Sequence, residues 1–184
     1  AQGKKAPVAL RINPNVDAHT HHYITTGLNE NKFGINEDDL PAILRMIAEG
    51  QQINLIGIHF HIGSQITDLS SFEDLCVKVL ELREWFHRQG ITLPVINVGG
   101  GLGINYQHPN HCPIADFESY FRLFDKYLKL EEDQTLHFEL GRSMVAPCGS
   151  LITRVVYVKE GMQKKFLIVD AGMTELIRPA LYQA

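Results

Sequence analysis

No apolar run in the chain approaches the ~20 residues that a membrane-spanning helix needs. The opening AQGKKAPVAL also lacks the apolar core and cleavage site of a signal peptide. These absences favour a soluble cytoplasmic protein without a membrane partner. Cysteine is scarce: Cys76, Cys112 and Cys148 are odd in number, far apart and form no CxxC pair, so a disulfide framework is not expected and a reducing compartment fits. Positive charge is scarce as well. The formal net charge is -4 and the Lys and Arg residues are scattered, which leaves no electrostatic footprint for nucleic acid. A GxGxxG opening a helix and a Walker lysine are both missing, which argues against a dinucleotide or P-loop site.

The chain has 184 residues, 45% hydrophobic and 21% charged, a balance that suits one globular domain or the middle of a larger one. Residue 1 is Ala, and PVALRINP reads as a strand almost at once. The chain is therefore expected to be a fragment of a longer protein.

Apolar periodicity switches repeatedly between two and 3.6. Strands are predicted over Val8 to Asn13, Asn54 to Ile62, Leu93 to Val98 and Thr135 to Glu139, and helices over Glu37 to Glu49, Ser70 to Gln89 and Ile114 to Leu130. Gly50 and Gly90 close the first two helices, and Ser70 with an acid three residues on reads as a capping box. This βαβαβαβ order implies parallel strands with helices outside them.

One strand face carries Ala9, Arg11 and Asn13, then His59 and His61, Asn97 and Gly99, and His137 and Glu139. The other face is apolar, with Leu10, Ile12, Ile58, Phe60, Ile62, Leu136 and Phe138. An open parallel sheet is greasy on both faces, whereas a barrel becomes polar at its mouth. The predicted fold class is thus α/β, the later half of a (β/α)8 barrel over residues 1–148, with the missing strands preceding residue 1. From Gly149 two β-rich runs flank KEGMQKK with no helix between them. An antiparallel hairpin and the beginning of an all-β domain, 149–184, are expected there.

Four motifs carry candidate chemistry. In INVGGGLGINY, Gly99, Gly100 and Gly101 follow a strand directly and could aim backbone N–H groups at a phosphate. In GIHFHIGSQ, His61 could stack on a flat ligand and Ser64 could approach a phosphate, while His59 reads as a hydrogen-bonded interior residue. The two histidines have no carboxylate or thiol to complete a ligand set, so no metal is expected. In HFELGRSM, Glu139 would be costly to bury as an ion without a cation or a protonated ring nitrogen. Arg142 offers donors to a phosphate or carboxylate there, its plain alternative being a pair with Glu139. In DAGMTELIRPALYQA, Arg178 and Tyr182 stand four apart on a possible helical turn, as an anion clamp or as solvated surface. His19, His21, His22, His108 and His111 read as exposed loop histidines.

RINPNVDAHTHHYITTGLNENKFGI, GIHFHIGSQITD, NVGGGLGINY, ELGR and FLIVDAGMTELIRPALYQA occur in that order. Together they resemble the barrel-fold family of pyridoxal-phosphate (PLP) decarboxylases, and TGLNENKFGI and DAGMTELIRPALY point to its diaminopimelate branch. The resemblance implies PLP as cofactor and decarboxylation of meso-diaminopimelate to L-lysine and carbon dioxide. A homodimer with active sites at its interface is implied too. His61 would stack on the cofactor ring and Glu139 would pair with its ring nitrogen. Ser64, Gly99, Gly100, Gly101, Gly141 and Arg142 would bind the phosphate, and Arg142, Arg178 and Tyr182 the amino-acid substrate. Other substrates within the family, carboxynorspermidine among them, and a non-catalytic PLP-binding relative are the alternatives.

Two departures stand out. No segment matches the family's Schiff-base lysine, and Lys4 and Lys5 precede a later strand, so the chain by itself is expected to be inactive. Leu140 stands where the family has proline, and is expected to loosen the turn that aims Arg142.

Overall fold

The computed structural model describes residues 3–16, 33–50, 52–111 and 113–182. His19, His21, His22, Cys112 and most of TGLNENKFGI lie outside the described residues. Two compact units emerge, Ala1–Pro147 and Cys148–Ala184.

The first unit is built on β1 (Ala6–Arg11), β2 (Ile53–His59), β3 (Val95–Asn97) and β4 (Thr135–His137), paired in that order as one four-stranded, all-parallel sheet. The helices are α1 (Leu40–Glu49), preceded by a 3-10 turn at Glu37–Asp39, then α2 (Ser70–Arg88), α3 (Phe117–Tyr127) and the short α4 (Gly141–Val145). Every strand stops sooner than its alternation of side chains predicts. The backbone stays extended past the assigned ends: Phe60 N–H donates to Asn97 O (2.8 Å), Val98 N–H to His137 O (3.0 Å) and Glu139 N–H to Gly99 O (2.7 Å). The side-chain faces therefore persist where the regular ladder does not.

The apolar face is as predicted. Ile58, Phe60, Ile62, Ile96 and Val98 are fully buried, under α2 and α3. Helix α2 buries Phe72, Leu75, Cys76, Val79, Leu82 and Phe86, one stripe at helical spacing; each such side chain contributes roughly 1.5–3 kcal/mol. Phe72 meets Tyr120 edge-on at 4.9 Å between centroids, and Tyr120 meets Phe138 at 5.7 Å. These rings link α2 to α3 and α3 to the end of β4. Burial pushes the Cys76 thiol up to about 12, so it packs as a small apolar group.

The capping-box expectation fails. Ser70 lies inside the helix, Leu69 is the cap residue, and the Asp68 carboxylate accepts the Ser70 N–H at 3.0 Å. A carboxylate two residues earlier does the work because it can reach an unpaired first-turn amide without distorting the helix. Helix α3 also begins later than predicted, at Phe117, where Asp116 accepts from Ser119 N–H at 3.0 Å. Gly90 does use its freedom, ending α2 at φ +75°, whereas Gly50 is extended.

In the second unit, β5 (Val155–Glu160) and β6 (Lys165–Val169) form the expected antiparallel hairpin, closed by Gly161 N–H to Lys164 O at 2.9 Å. Asp170 extends it, accepting from Thr153 Oγ1 (2.8 Å) and Arg154 N–H (2.9 Å). A single helical turn, α5 (Arg178–Tyr182), follows.

Candidate functional site

The parallel register puts Arg11, His59, Asn97 and His137 side by side, one from each strand. Partners in register share a face, so this row crosses the polar side of the sheet. Beyond it, at the C-terminal edge, stand His61, Gly99 and Glu139.

Glu139 is the centre of the cluster. Its Oε1 accepts from Asn97 Nδ2 at 3.0 Å, and its Oε2 lies 3.4 Å from His59 Nε2. The His59 nitrogen is buried and makes no well-formed hydrogen bond. Contrary to the burial argued from sequence, the Glu139 side chain is 54% exposed. The strand ends before residue 139, and the carboxylate projects from the sheet edge rather than into the core.

Both histidines are held below the ordinary imidazole value. For His59, burial is the main cause, with Glu139 pulling the other way and Arg11 adding to the depression. For His61, burial again leads, and Arg11 and His59 reinforce it. A positive neighbour and a dry setting both disfavour imidazolium, so each ring is neutral near pH 7.

Arg142 lies in the first turn of α4 and does not pair with Glu139. Its guanidinium donates to Ser64 Oγ at 3.1 Å and to Tyr106 Oη at 3.3 Å, and it stands 5.9 Å from the Tyr106 ring centre. A cation and a hydroxyl from two distant segments are thereby joined at one edge of the sheet. With Leu140 in place the turn still follows a path that proline could adopt. The Leu140 φ is −80°, within the range a proline would impose.

The three glycines divide in their roles. A methyl group on Gly99 would overlap the Phe60 carbonyl oxygen, and one on Gly100 would overlap that of Glu139. The glycines at these two positions are required by neighbouring backbone, whatever else they do. The Gly99 N–H is already taken by Asn97 Oδ1 at 2.8 Å, and the Gly141 N–H by Glu139 O at 3.0 Å. The N–H groups of Gly100 and Gly101 have no partner among the described residues. They are the loop's available donors.

The sheet edge therefore gathers His61, Ser64, Gly99, Gly100, Gly101, Glu139, Gly141 and Arg142. Arg178 opens α5 in the second unit, and the side chain of Tyr182 lies outside the described residues. Lys4 and Lys5 precede β1 at the opposite end of the strands. Sequence reasoning gave no role to Asn97, Tyr106 or Gln65, whose side-chain amide bonds both Ile104 O (2.6 Å) and Ile104 N–H (3.2 Å). Asn two residues before Gly, the signature of an Asx turn, was a readable signal for the first. No metal-binding group of His, Cys, Asp and Glu exists among the described residues, and no helix there is long and apolar enough to cross a membrane.

The family model described as "Pyridoxal-dependent decarboxylase, pyridoxal binding domain" covers residues 1–146. A diaminopimelate decarboxylase of Bacteroides thetaiotaomicron is 57% identical over 184 residues, all of this chain and 48% of the relative. One from Pseudomonas aeruginosa is 48% identical over 182 residues, 99% of this chain and 43% of the relative. The crystal structure of diaminopimelate decarboxylase from Helicobacter pylori complexed with L-lysine superposes with a TM-score of 0.87 at 40% identity, over 99% of this chain and 45% of that one. The chain spans about half the length of the curated relatives it matches. With a parallel α/β sheet of the same fold and a family model over most of its length, the chain belongs to the pyridoxal-dependent decarboxylases.

Proposed function

We propose that the protein carrying this chain decarboxylates meso-2,6-diaminopimelate to L-lysine with PLP as cofactor. Residues 1–148 would be the later half of a PLP-binding (β/α)8 barrel, and residues 149–184 the start of a β domain. The observation that carries the reading is the Glu139 carboxylate, held by Asn97 and His59 at the same sheet edge as the joined Ser64–Arg142 pair. The names of the relatives supply the substrate, and the polar row with its C-terminal cluster supports a barrel mouth.

The donor set suits PLP. A half-exposed carboxylate fits a protonated ring nitrogen, and a neutral, half-buried imidazole at His61 fits a ring face. A guanidinium with a hydroxyl and the Gly100 and Gly101 amides fit a phosphate. When bound, the cofactor supplies an electron sink for the pair released as carbon dioxide leaves an amino acid.

The chain's own residues prepare that chemistry. Glu139 would place a negative charge beside the ring nitrogen and so favour a proton there, with the hydrogen bond from Asn97 keeping the carboxylate in position. The depressed basicity of His61 keeps its ring uncharged, so it can cover an aromatic face without competing for that carboxylate. Gly99 and Gly141 shape the loops, while Gly100, Gly101, Ser64 and Arg142 anchor the phosphate. Arg178 and Tyr182 are assigned to the distal carboxylate of the substrate, in a cytoplasmic homodimer. The Schiff-base lysine is assigned to sequence outside this chain.

Incubating the full-length protein with PLP and meso-diaminopimelate tests the proposal directly. Stoichiometric L-lysine and carbon dioxide are the expected products. PLP uptake without lysine would overturn the substrate assignment, and no PLP uptake would overturn the whole reading.

A further inference from the structure

Asn97 is the last residue of β3, between His59 and His137 in the row that crosses the sheet. Its amide makes two bonds in opposite directions. Oδ1 accepts the Gly99 N–H at 2.8 Å, and Nδ2 donates to Glu139 Oε1 at 3.0 Å. The orientation of the amide follows from chemistry. An N–H must meet an acceptor and a carboxylate must meet a donor, so only this arrangement satisfies both ends.

From these bonds we infer that Asn97 is a positioning residue that locks the carboxylate of Glu139 to the glycine loop as one unit. The inference rests on the PLP reading above and assigns Asn97 a role within it. Glu139 most needs such a partner because it is otherwise free to turn. Its side chain is 54% exposed and its second oxygen has only a 3.4 Å approach from His59. An exposed Glu samples several rotamers; a donor on Oε1 selects one of them. The same donor would hold the carboxylate at one distance from the ring nitrogen, so losing it would change the charge that nitrogen faces.

The bond to Gly99 acts on the other side. An Asx turn fixes the path of the chain out of β3, and the next two residues carry the unpartnered amides assigned to the phosphate. One side chain thereby sets the spacing between the acceptor for the ring nitrogen and the donors for the phosphate. A merely structural asparagine would need only the turn.

Two substitutions separate these roles. Asn97→Ser keeps an acceptor for the Gly99 N–H, since serine forms the equivalent turn, but is too short to reach Glu139. Asn97→Ala loses both bonds. The full-length protein is loaded with PLP labelled with 15N in its ring, and three quantities are read: the ring-nitrogen chemical shift, the PLP dissociation constant and the thermal midpoint.

For Asn97→Ser the expected result is a thermal midpoint within a few degrees of wild type. PLP affinity should fall about tenfold, the scale of one hydrogen bond to a charged group, and the 15N signal should move toward the unprotonated position. In a Glu139→Ala background, Asn97→Ser should weaken PLP by less than about twofold, because its partner is already gone. For Asn97→Ala the affinity loss should exceed that of Asn97→Ser. An unmoved 15N signal with unchanged affinity in Asn97→Ser would overturn the inference and leave the PLP reading standing, as would a full tenfold loss on top of Glu139→Ala. A wild-type protein that takes up no PLP would overturn both.

Discussion

Replacing Gly100 with alanine should destabilise the protein even with no cofactor present. The added Cβ would sit more than about 1 Å inside the 3.4 Å at which ordinary contact with the Glu139 carbonyl oxygen begins, and 3.0 Å from its carbon. Neither atom belongs to a flexible side chain. The Glu139 backbone is fixed by its N–H bond to Gly99 O at 2.7 Å, so it yields only by pulling the ends of β3 and β4 apart. Gly100 is absent from the glycines with positive φ, so the penalty is steric rather than torsional. Overpacking contributes ~1–3 kcal/mol, and loss of that hydrogen bond adds ~0.5–1.5 kcal/mol. The expected total is ~2–4 kcal/mol, against a typical domain stability of ~5–15 kcal/mol. Gly141 is the internal control, because a Cβ there meets nothing within 4 Å. It begins a helical turn, and alanine should gain ~0.5–1 kcal/mol. Urea denaturation of the cofactor-free protein, read as a shift in midpoint at constant slope, measures both. If Gly100 were glycine only to admit a ligand, Gly100→Ala would unfold like wild type. A loss below ~1 kcal/mol would refute the packing argument.

Leu140→Pro should change stability by less than ~1 kcal/mol and leave PLP affinity within twofold of wild type. The backbone already has φ −80° there, and the Leu140 N–H has no hydrogen bond to lose among the described residues; calorimetry and a PLP titration check it. Asp68→Ala should cost ~1 kcal/mol by uncapping α2, whereas Ser70→Ala should stay within ~0.5 kcal/mol, as denaturation curves would show. The imidazole C2–H resonances of His59 and His61 should titrate below 6.5. A base whose folded value is depressed takes up protons more readily when unfolded, so stability is full above the unfolded value and declines as pH falls below about 6.5. Thermal midpoints of wild type and His59→Gln, compared between pH 7.5 and 5.5, should converge at the lower pH.

Much of this architecture could be read from the sequence because burial imposes a period. Leu10, Ile58, Phe60 and Ile62 alternate with less apolar residues, and that alternation specifies both the sheet face and the C-terminal edge. Strand ends were not legible in the same way. Alternation reports an extended backbone, and residues such as His61 and Glu139 remain extended after the ladder has ended. The α2 cap was misread because Ser70 and Glu73 match a local pattern, while the competing Asp68 wins only through the path of the preceding turn. Glu139 was placed correctly on the polar face, but its exposure depends on where β4 stops. Asn97, Tyr106 and Gln65 act through partners 42, 36 and 39 residues away. Nothing local in the sequence specifies such pairs.

The nesting of Gly99 and Gly100 against the Phe60 and Glu139 carbonyls bears on how sequence variation in relatives should be interpreted. Selection for a foldable chain alone forbids larger residues at these two sites, so their invariance would say nothing about a ligand. Gly141 faces no such restriction, since a methyl group there meets open space. Any constraint on it comes from outside the described residues, either from the rest of the longer protein or from a ligand, so its variation reports on something this unit's own packing does not dictate.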